Sequence, residues 1–401
     1  MVTDSSPASP VKHPRLGRNV VALAAVSLLT DVASEMTYPL LPVFLATVLG
    51  AGATAVGAIE GAAETTASLL KLASGWWSDR ASRRKPLVLA GYALASLVRP
   101  FLGVAHSVGQ VLGIRVTDRV GKGIRTSPRD ALIADSVDPA IRGRAFGFHR
   151  AADNTGAMVG PLLAFAFLRW GGLQLRTVFL LTAIPGALAV LTLIFGVRDV
   201  PHPVPPKAQS QPGLRVPLGK RFWTYLGVLL LFTLGNSSDA FLILRARQLG
   251  VSVALIPILW AMLSLVKAVG STPGGILSDR LGRKPLIVAG WFVYAAVYFA
   301  FGRAGQQWQA WALFAIYGVY FGLTEGVEKA LVADLVPQDR RGAAFGWYNL
   351  AIGIGALPAS LLFGWIWDRW SSTVAFDCGA LVALAAAAGL AVVAPGRRAA
   401  A

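Results

Sequence analysis

Asp31 and Glu35 stand four residues apart inside an otherwise apolar run. On a helix that spacing puts both carboxylates on one face. Glu60 and Glu64 repeat it in the next apolar run, ahead of Lys71. Arg99 falls in the third run, Arg115, Asp118 and Arg119 in the fourth, and His149, Arg150 and Asp153 in the fifth. The second half of the chain is sparser, with Asn236, Asp239, Lys267, Glu325, Glu328, Lys329, Tyr348 and Asn349. An ionisable group near the centre of a bilayer costs about 2.5–3.5 kcal/mol or more, which makes each a functional candidate by default. Two chemistries suit them: reversible protonation and the holding of a polar solute. A proton-carrying carboxylate needs burial to raise its proton affinity and a nearby base to lower it. Asp31 and Glu35 lead that set, with Arg115 as the expected modulating base, and Glu64 and Asp153 complete it. Candidates for contact with a solute in a central cavity are Arg115, Asp118, Arg119, His149, Arg150, Asn236, Lys267, Glu325, Tyr348 and Asn349. A static salt-bridge network that fixes helix rotation is the competing reading, and it suits Glu60 best.

These groups need apolar elements to place them. Of the 401 residues, 55% are hydrophobic and 14% charged, against about 25% charged in soluble domains. Mean hydropathy is +0.59. The single cysteine, Cys378, allows no intrachain disulfide. The 37 Lys+Arg against 20 Asp+Glu give a net charge of +17. Those bases lie between apolar runs and do not alternate with aromatics along a groove, so a nucleic-acid partner is not expected. The same charge suits loops held against an anionic leaflet.

A helix needs about 20 mostly apolar residues to cross the hydrocarbon core. Twelve such runs lie near 20–48, 54–77, 86–105, 108–136, 143–169, 175–197, 222–247, 252–277, 285–303, 307–336, 342–367 and 373–394. Charges within the fourth and tenth leave their inner ends the least defined. Alternate connections carry the bases: Arg80, Arg83, Arg84 and Lys85; Arg142 and Arg144; Lys207, Arg215, Lys220 and Arg221; Arg280, Arg283 and Lys284; Arg340 and Arg341. The tails add Lys12, Arg15, Arg18, Arg397 and Arg398, whereas connections such as 49–54 and 105–109 are nearly free of them. Lys and Arg stay on the cytoplasmic side, which predicts a multi-pass protein of a prokaryotic inner membrane with both termini in the cytoplasm. The first apolar run is too long for a signal h-region, so no cleavable signal peptide is expected.

The chain also repeats itself. Ser78-Asp79-Arg80 returns as Ser278-Asp279-Arg280, and Lys85-Pro86-Leu87 as Lys284-Pro285-Leu286. Ala131-Leu132-Ile133-Ala134-Asp135 returns as Ala330-Leu331-Val332-Ala333-Asp334. An ordered set of matches at one offset of about 200 residues signals duplicated halves, an architecture that holds a solute between them near the midplane. The Pro-rich, basic stretch 198–221 is the expected linker between six-helix bundles at 1–197 and 222–401.

These residues resemble the major facilitator superfamily. Its signature after the second helix reads Gly-x-x-x-Asp-Arg/Lys-x-Gly-Arg-Arg/Lys. Gly275, Asp279, Arg280, Gly282, Arg283 and Lys284 match it in full, while the first copy, Gly75, Asp79, Arg80, Arg83 and Arg84, has Ser82 in place of the second Gly. The resemblance covers nearly the whole chain and implies an all-α fold of twelve transmembrane helices in two pseudo-symmetric bundles. It also implies transport by alternating access, with this loop as a gate. Arg115, Gly121 and Gly123 look like the superfamily's fourth-helix pattern, with Asp118 and Arg119 replacing its Gln and first Gly. Gly156-x-x-x-Gly160-Pro161 resembles the fifth-helix motif of exporting antiporters, although Ala164-Phe165 replaces the trailing Gly pair. The expectation is a secondary transporter driven by the proton gradient, exporting a small organic or drug-like solute. Alternatives are a proton-coupled importer of an organic anion or metallophore and, from another class, a membrane receptor or scaffold that transports nothing. Trp260, Trp291, Tyr294 and Tyr298 offer aromatic walls. Enzyme chemistry is not expected. Gly121-Lys122 is followed by Gly123 where a phosphate-binding loop needs Ser or Thr, and neither Gly-x-Ser-x-Gly nor His-Glu-x-x-His occurs. The partners expected are a small-molecule solute and the lipid bilayer; no cofactor or metal is expected, and the chain is expected to act as a monomer.

Overall fold

Twelve helical rods in chain order make up the computed structural model, which describes residues 17–199 and 217–392 apart from 82, 139–140 and 338–339. They are α1 (Arg18–Thr47), α2 (Ala53–Arg80), α3 (Lys85–Val104), α4 (Val108–Asp135), α5 (Arg142–Arg169) and α6 (Leu175–Gly196). The second set is α7 (Lys220–Gln248), α8 (Val253–Leu281), α9 (Arg283–Arg303), α10 (Gln307–Leu335), α11 (Arg341–Arg369) and α12 (Ser372–Val392). No strand occurs among the described residues. Lys12, Arg15, Lys207, Arg215, Arg397, Arg398, Ser82 and the side chains of Asp79 and Arg80 lie outside what is described.

Local chemistry sets several boundaries. Ser107 caps α4 by accepting from the Gln110 N–H at 3.2 Å, and Gln306 with Gln309 forms a capping box on α10. Gly282 has φ +93, a conformation that favours glycine, and it turns the chain from α8 into α9. Prolines interrupt some rods. Around Pro39, α1 tightens into a 3-10 turn at Tyr38–Leu40, and around Pro100, α3 passes into a closing 3-10 stretch at Arg99–Val104. Between Lys220–Gly235 and Ala240–Gln248, α7 opens at residues 236–239.

Ten of the rods are long and apolar enough to cross a membrane. The two that fall short are α2 and α4. They carry Glu60, Glu64 and Lys71, and Arg115, Asp118, Arg119, Lys122 and Arg125. Charges leave the fourth and tenth runs the least defined at their inner ends; α4 falls short of the apolar test, α10 passes it, and α2, with Glu60, Glu64 and Lys71, falls short as well.

In packing, α1 lies on α5, α2 on α4, α8 on α10, and α9 on α12. The first six rods meet the second six mainly where α2 packs on α11 and α5 on α8. Glycines close the α2–α11 seam: a Cβ on Gly57 would lie 2.1 Å from the Ser360 oxygen, and one on Gly61 would lie 2.8 Å from Leu357 Cα. At the end of that seam Asp368 accepts from the N–H groups of Ala53 and Thr54 at 2.9 and 2.7 Å. This is the far end of the molecule, away from residue 17. The opposite, terminal end holds the start of α1, where Asn19 Nδ2 donates to the Arg198 carbonyl just past α6. It also carries bonds that recur between the two sets. Arg84 pairs with Asp135 as Arg283 does with Asp334. Arg142 Nε donates to the Ala134 carbonyl as Arg341 Nε does to that of Ala333. A stacked aromatic core fills the second set, with the Phe232 and Trp291 rings 4.2 Å apart and Tyr294 and Tyr298 also 4.2 Å apart.

Candidate functional site

A cavity of about 540 Å³ lies between the two sets. One wall comes from α1 to α4 and is densely charged: Asp31, Glu35, Glu60, Glu64, Arg99, Arg115, Asp118, Arg119, Lys122 and Arg125. The other comes from α7, α8, α10 and α11. It is aromatic and amphipathic, with Phe232, Trp260, Tyr320, Phe321 and Tyr348 beside Asn236, Asp239, Glu325 and Glu328.

Part of the charged wall is locked. Arg115 grips Glu60 bidentately, Nε to Oε1 and Nη2 to Oε2, both at 2.9 Å. Such a fork is the strong geometry for a guanidinium and a carboxylate. Arg99 Nη2 donates to Asp118 Oδ1 at 2.7 Å, and Arg115 Nη1 lies 3.6 Å from Asp118 Oδ2. All four side chains are buried. The expectation that Arg115 would modulate Asp31 and Glu35 is therefore corrected: its hydrogen bonds go to Glu60. The static reading of Glu60 fits this geometry.

The rest of that wall is unlocked. Neither Asp31 nor Glu64 has a side-chain hydrogen bond or ion pair among the described residues. Glu35 accepts from Trp260 Nε1 at 2.8 Å, a bond that joins α1 to α8 across the cavity. The Trp260 ring also packs on Tyr38, with centroids 4.9 Å apart. The glycines of α5 set the position of α1 here. A Cβ on Gly156 would lie 2.5 Å from the Leu28 oxygen and 2.9 Å from Asp31 Cβ. One on Gly160 would lie 2.7 Å from the Val32 oxygen and 3.0 Å from Glu35 Cβ. Larger residues would push α1 and its two carboxylates away. Pro161 continues this buried face of α5.

Of the residues picked from sequence, Asp31, Glu35, Glu64, Arg115, Asp118, Arg119, Asn236, Glu325 and Tyr348 line the cavity. Five do not. His149 Nδ1 lies 3.6 Å from Asp153 Oδ1, both on the α5 face that packs against α1. Arg150 meets Glu325 at 3.1 Å between the two sets, nearer the terminal end, with both side chains well exposed. Lys267 lies 3.8 Å from Asp239, and its Nζ sits 3.4 Å from the Phe321 ring centroid and 5.5 Å from that of Trp260. Asn349 Nδ2 donates to the Phe345 carbonyl within its own helix. Lys122 and Arg125 were missed as site residues. Their signal was the three-residue spacing 119, 122, 125, which puts cations on one side of α4. Glu328 was read only as an intramembrane charge; it accepts from Trp291 Nε1 at 3.0 Å and from the Tyr348 hydroxyl at 2.9 Å.

The paired loop motifs sit at the terminal end. Arg283 Nη1 donates to Ser278 Oγ at 2.7 Å and also bonds Asp279, and its Nε reaches Asp334 at 3.3 Å. Lys284 Nζ donates to the Ala391 carbonyl. A Cβ on Gly275 would meet nothing within 4 Å, and one on Gly75 only Ser127. Arg83 and Arg280 are exposed. The first-copy motif thus contributes Arg84, paired with Asp135, to the described contacts.

A bundle of long apolar helices enclosing a charged, solute-sized cavity between two sets of rods defines a membrane transporter. The sequence model of the Major Facilitator Superfamily matches residues 23–246 and again 225–400, and the chain belongs to that superfamily. An uncharacterized MFS-type transporter of Methanocaldococcus jannaschii is 35% identical over 92% of this chain and 93% of its own length. The multidrug resistance protein MdtH of Salmonella newport is 24% identical over 83% of this chain and 82% of its own. Among solved structures, that of the nucleoside transporter NupG superposes with a TM-score of 0.80 at 12% identity, covering 93% of this chain and 99% of that one. At that identity the likeness speaks for the fold alone.

Proposed function

We propose that this transporter is a proton-driven exporter that exchanges an inward-moving proton for an outward-moving small organic or drug-like solute. In this reading all twelve rods cross a prokaryotic plasma membrane. They form pseudo-symmetric six-helix bundles at 1–197 and 222–401, joined by the linker 198–221. The terminal end faces the cytoplasm, and the chain works as a monomer with no cofactor beyond the proton gradient. The bonds that recur between Arg84–Asp135 and Arg283–Asp334 support the two-bundle arrangement. The 24% identical multidrug resistance protein supports export.

The observation that carries the reading is the bond from Trp260 to Glu35. It joins the two bundles on the side of the cavity toward the far end, and it is strongest while Glu35 is ionised, because a charged acceptor makes the stronger hydrogen bond. An empty, deprotonated carrier is therefore held with its far end shut. Protonation of Glu35 weakens that latch, and so does a solute that displaces Trp260. Either ligand alone frees the carrier to rock, which is the logic of exchange. Asp31, one turn away on the same face of α1, is the second candidate for the travelling proton.

Inverted membrane vesicles test this. Respiration acidifies their interior, and a quenched pH dye reports proton release when a transported solute is added from a panel of organic anions, cations and zwitterions. Asp31→Asn or Glu35→Gln is expected to abolish solute-driven release while leaving respiration-driven acidification intact. Wild-type release in both variants would remove the proposal.

A further inference from the structure

The side of α4 that faces the cavity holds three cations without a direct ion pair, Arg125 buried, Arg119 half-buried and Lys122 exposed. Arg119, Lys122 and Arg125 all line the cavity, three residues apart along one helix. None forms an ion pair or a side-chain hydrogen bond among the described residues. Arg125 is only 6% exposed; its guanidinium lies over the Tyr92 ring at 4.3 Å, and its Nη1 has no hydrogen-bond partner. Arg119 Nε is buried without a partner as well. Buried charges are as a rule paired, and this wall follows the rule at Arg115 and Arg99, which Glu60 and Asp118 satisfy. Asp31 and Glu64 share the cavity but lie beyond ion-pair distance of the three. Across from the row stand Trp260 and Phe321. The cavity volume, about 540 Å³, is that of a small-molecule site.

We propose that the transported solute carries an anionic group, a carboxylate or a phosphate, which Arg119, Lys122 and Arg125 bind, and a flat apolar body that lies on Trp260 and Phe321. The inference rests on the reading of this cavity as the solute site and names the class of solute. Two guanidinium forks and an ammonium suit an oxyanion with two or three equivalent oxygens. A lipophilic cation would meet like charge at this row, and the carboxylates Asp31 and Glu64 on the same wall make the cationic probe the decisive control. The anionic head binds away from the Glu35–Trp260 bond, so displacing Trp260 falls to the body of the solute.

Probes that share one body and differ in charge test this: naphthoate, naphthyl phosphate, neutral naphthol and the cation naphthylmethylammonium. Binding is read on the purified full-length chain from its thermal unfolding, since a ligand of the native state raises the melting temperature. Both anions at millimolar concentration are expected to raise it, and the neutral and cationic probes are not. Arg119→Gln, Lys122→Gln and Arg125→Gln are each expected to weaken anion binding tenfold or more, a factor equal to about 1.4 kcal/mol. Lys122→Arg should retain it, and so should Arg303→Gln, which alters a distant surface pair with Asp377. Removing one of three neighbouring cations lowers their repulsion, so the unliganded glutamine variants should melt no lower than wild type, and a loss of binding is then not a loss of fold. The proposal is overturned if neither anion stabilises the protein, if the cation does so instead, or if all three glutamine variants bind naphthoate as wild type does. This equilibrium reading is independent of proton movement. Failure here leaves the Glu35 coupling standing, and failure of the vesicle assay leaves the anion site standing.

Discussion

Alanine at Gly57 tests whether the α2–α11 seam holds the far end of the transporter shut. A Cβ there would lie 2.1 Å from the Ser360 oxygen, 2.8 Å from its carbonyl carbon and 3.1 Å from Phe241 Cζ. A relaxed carbon–oxygen contact is about 3.3 Å, so the two helices must part by about 1 Å. Backbone on both sides leaves no flexible side chain to yield. Overpacking of this kind costs about 1–3 kcal/mol, and only the closed arrangement bears it, because the surfaces separate when the far end opens. The equilibrium should therefore move toward the opened state by about 5- to 150-fold. The bonds from Ala53 and Thr54 to Asp368, one turn away, will lengthen in the same step. Spin labels at Val48→Cys and Trp370→Cys, both exposed near the far end, report the separation by pulsed electron resonance, with Cys378→Ser as background. Gly57→Ala is expected to add or enlarge a longer-distance population. Gly109→Ala should not, since a Cβ there meets nothing within 4 Å. A distance distribution unchanged in folded Gly57→Ala protein would show that the seam is not what closes this end.

Two other substitutions probe the charged wall and its support. Arg115→Met strands Glu60 in a buried site, which should destabilise the protein by about 3–5 kcal/mol. Glu60→Gln in the same chain should recover most of that loss in thermal unfolding, and a double variant that melts as low as the single one would assign the loss to something other than the pair. Gly156→Ala drives a methyl against Leu28 and Asp31. It should cut solute-driven proton release at least fivefold in the vesicle assay while the protein still purifies as a monodisperse bundle, and wild-type release would mean that the α1–α5 approach does not position the carboxylates.

Much of the frame was legible because hydropathy is a local property. The run predicted at 86–105 became a rod at Lys85–Val104, and the one at 175–197 became Leu175–Gly196. The break at 236–239 inside α7 was not foreseen, since four polar residues in a long apolar run do not say whether the backbone stays helical. Charges near the cavity were also visible, but their partners were not. Arg115 and Glu60 are 55 residues apart, and their pairing depends on how two helices are rotated against each other. The same dependence removed His149 and Asp153 from the cavity. They share a stripe with Gly156 and Gly160, and that stripe faces α1. Lys122 and Arg125 are the opposite case, for their spacing with Arg119 carried the information and only helix-face bookkeeping was needed to extract it.

The polarity of α2 and α4 has a consequence for how the chain is made. A helix with Arg115, Asp118, Arg119, Lys122 and Arg125 along its length partitions poorly into lipid by itself. Glu60 leaves the ribosome 55 residues before the guanidinium that neutralises it, an interval of roughly 3–11 s at ordinary rates of synthesis. During that wait α2 needs shelter at the insertion machinery or against α1 and α3. In the proposed arrangement of twelve spans, the four are expected to enter the bilayer together once α4 arrives, as a group and not one segment at a time.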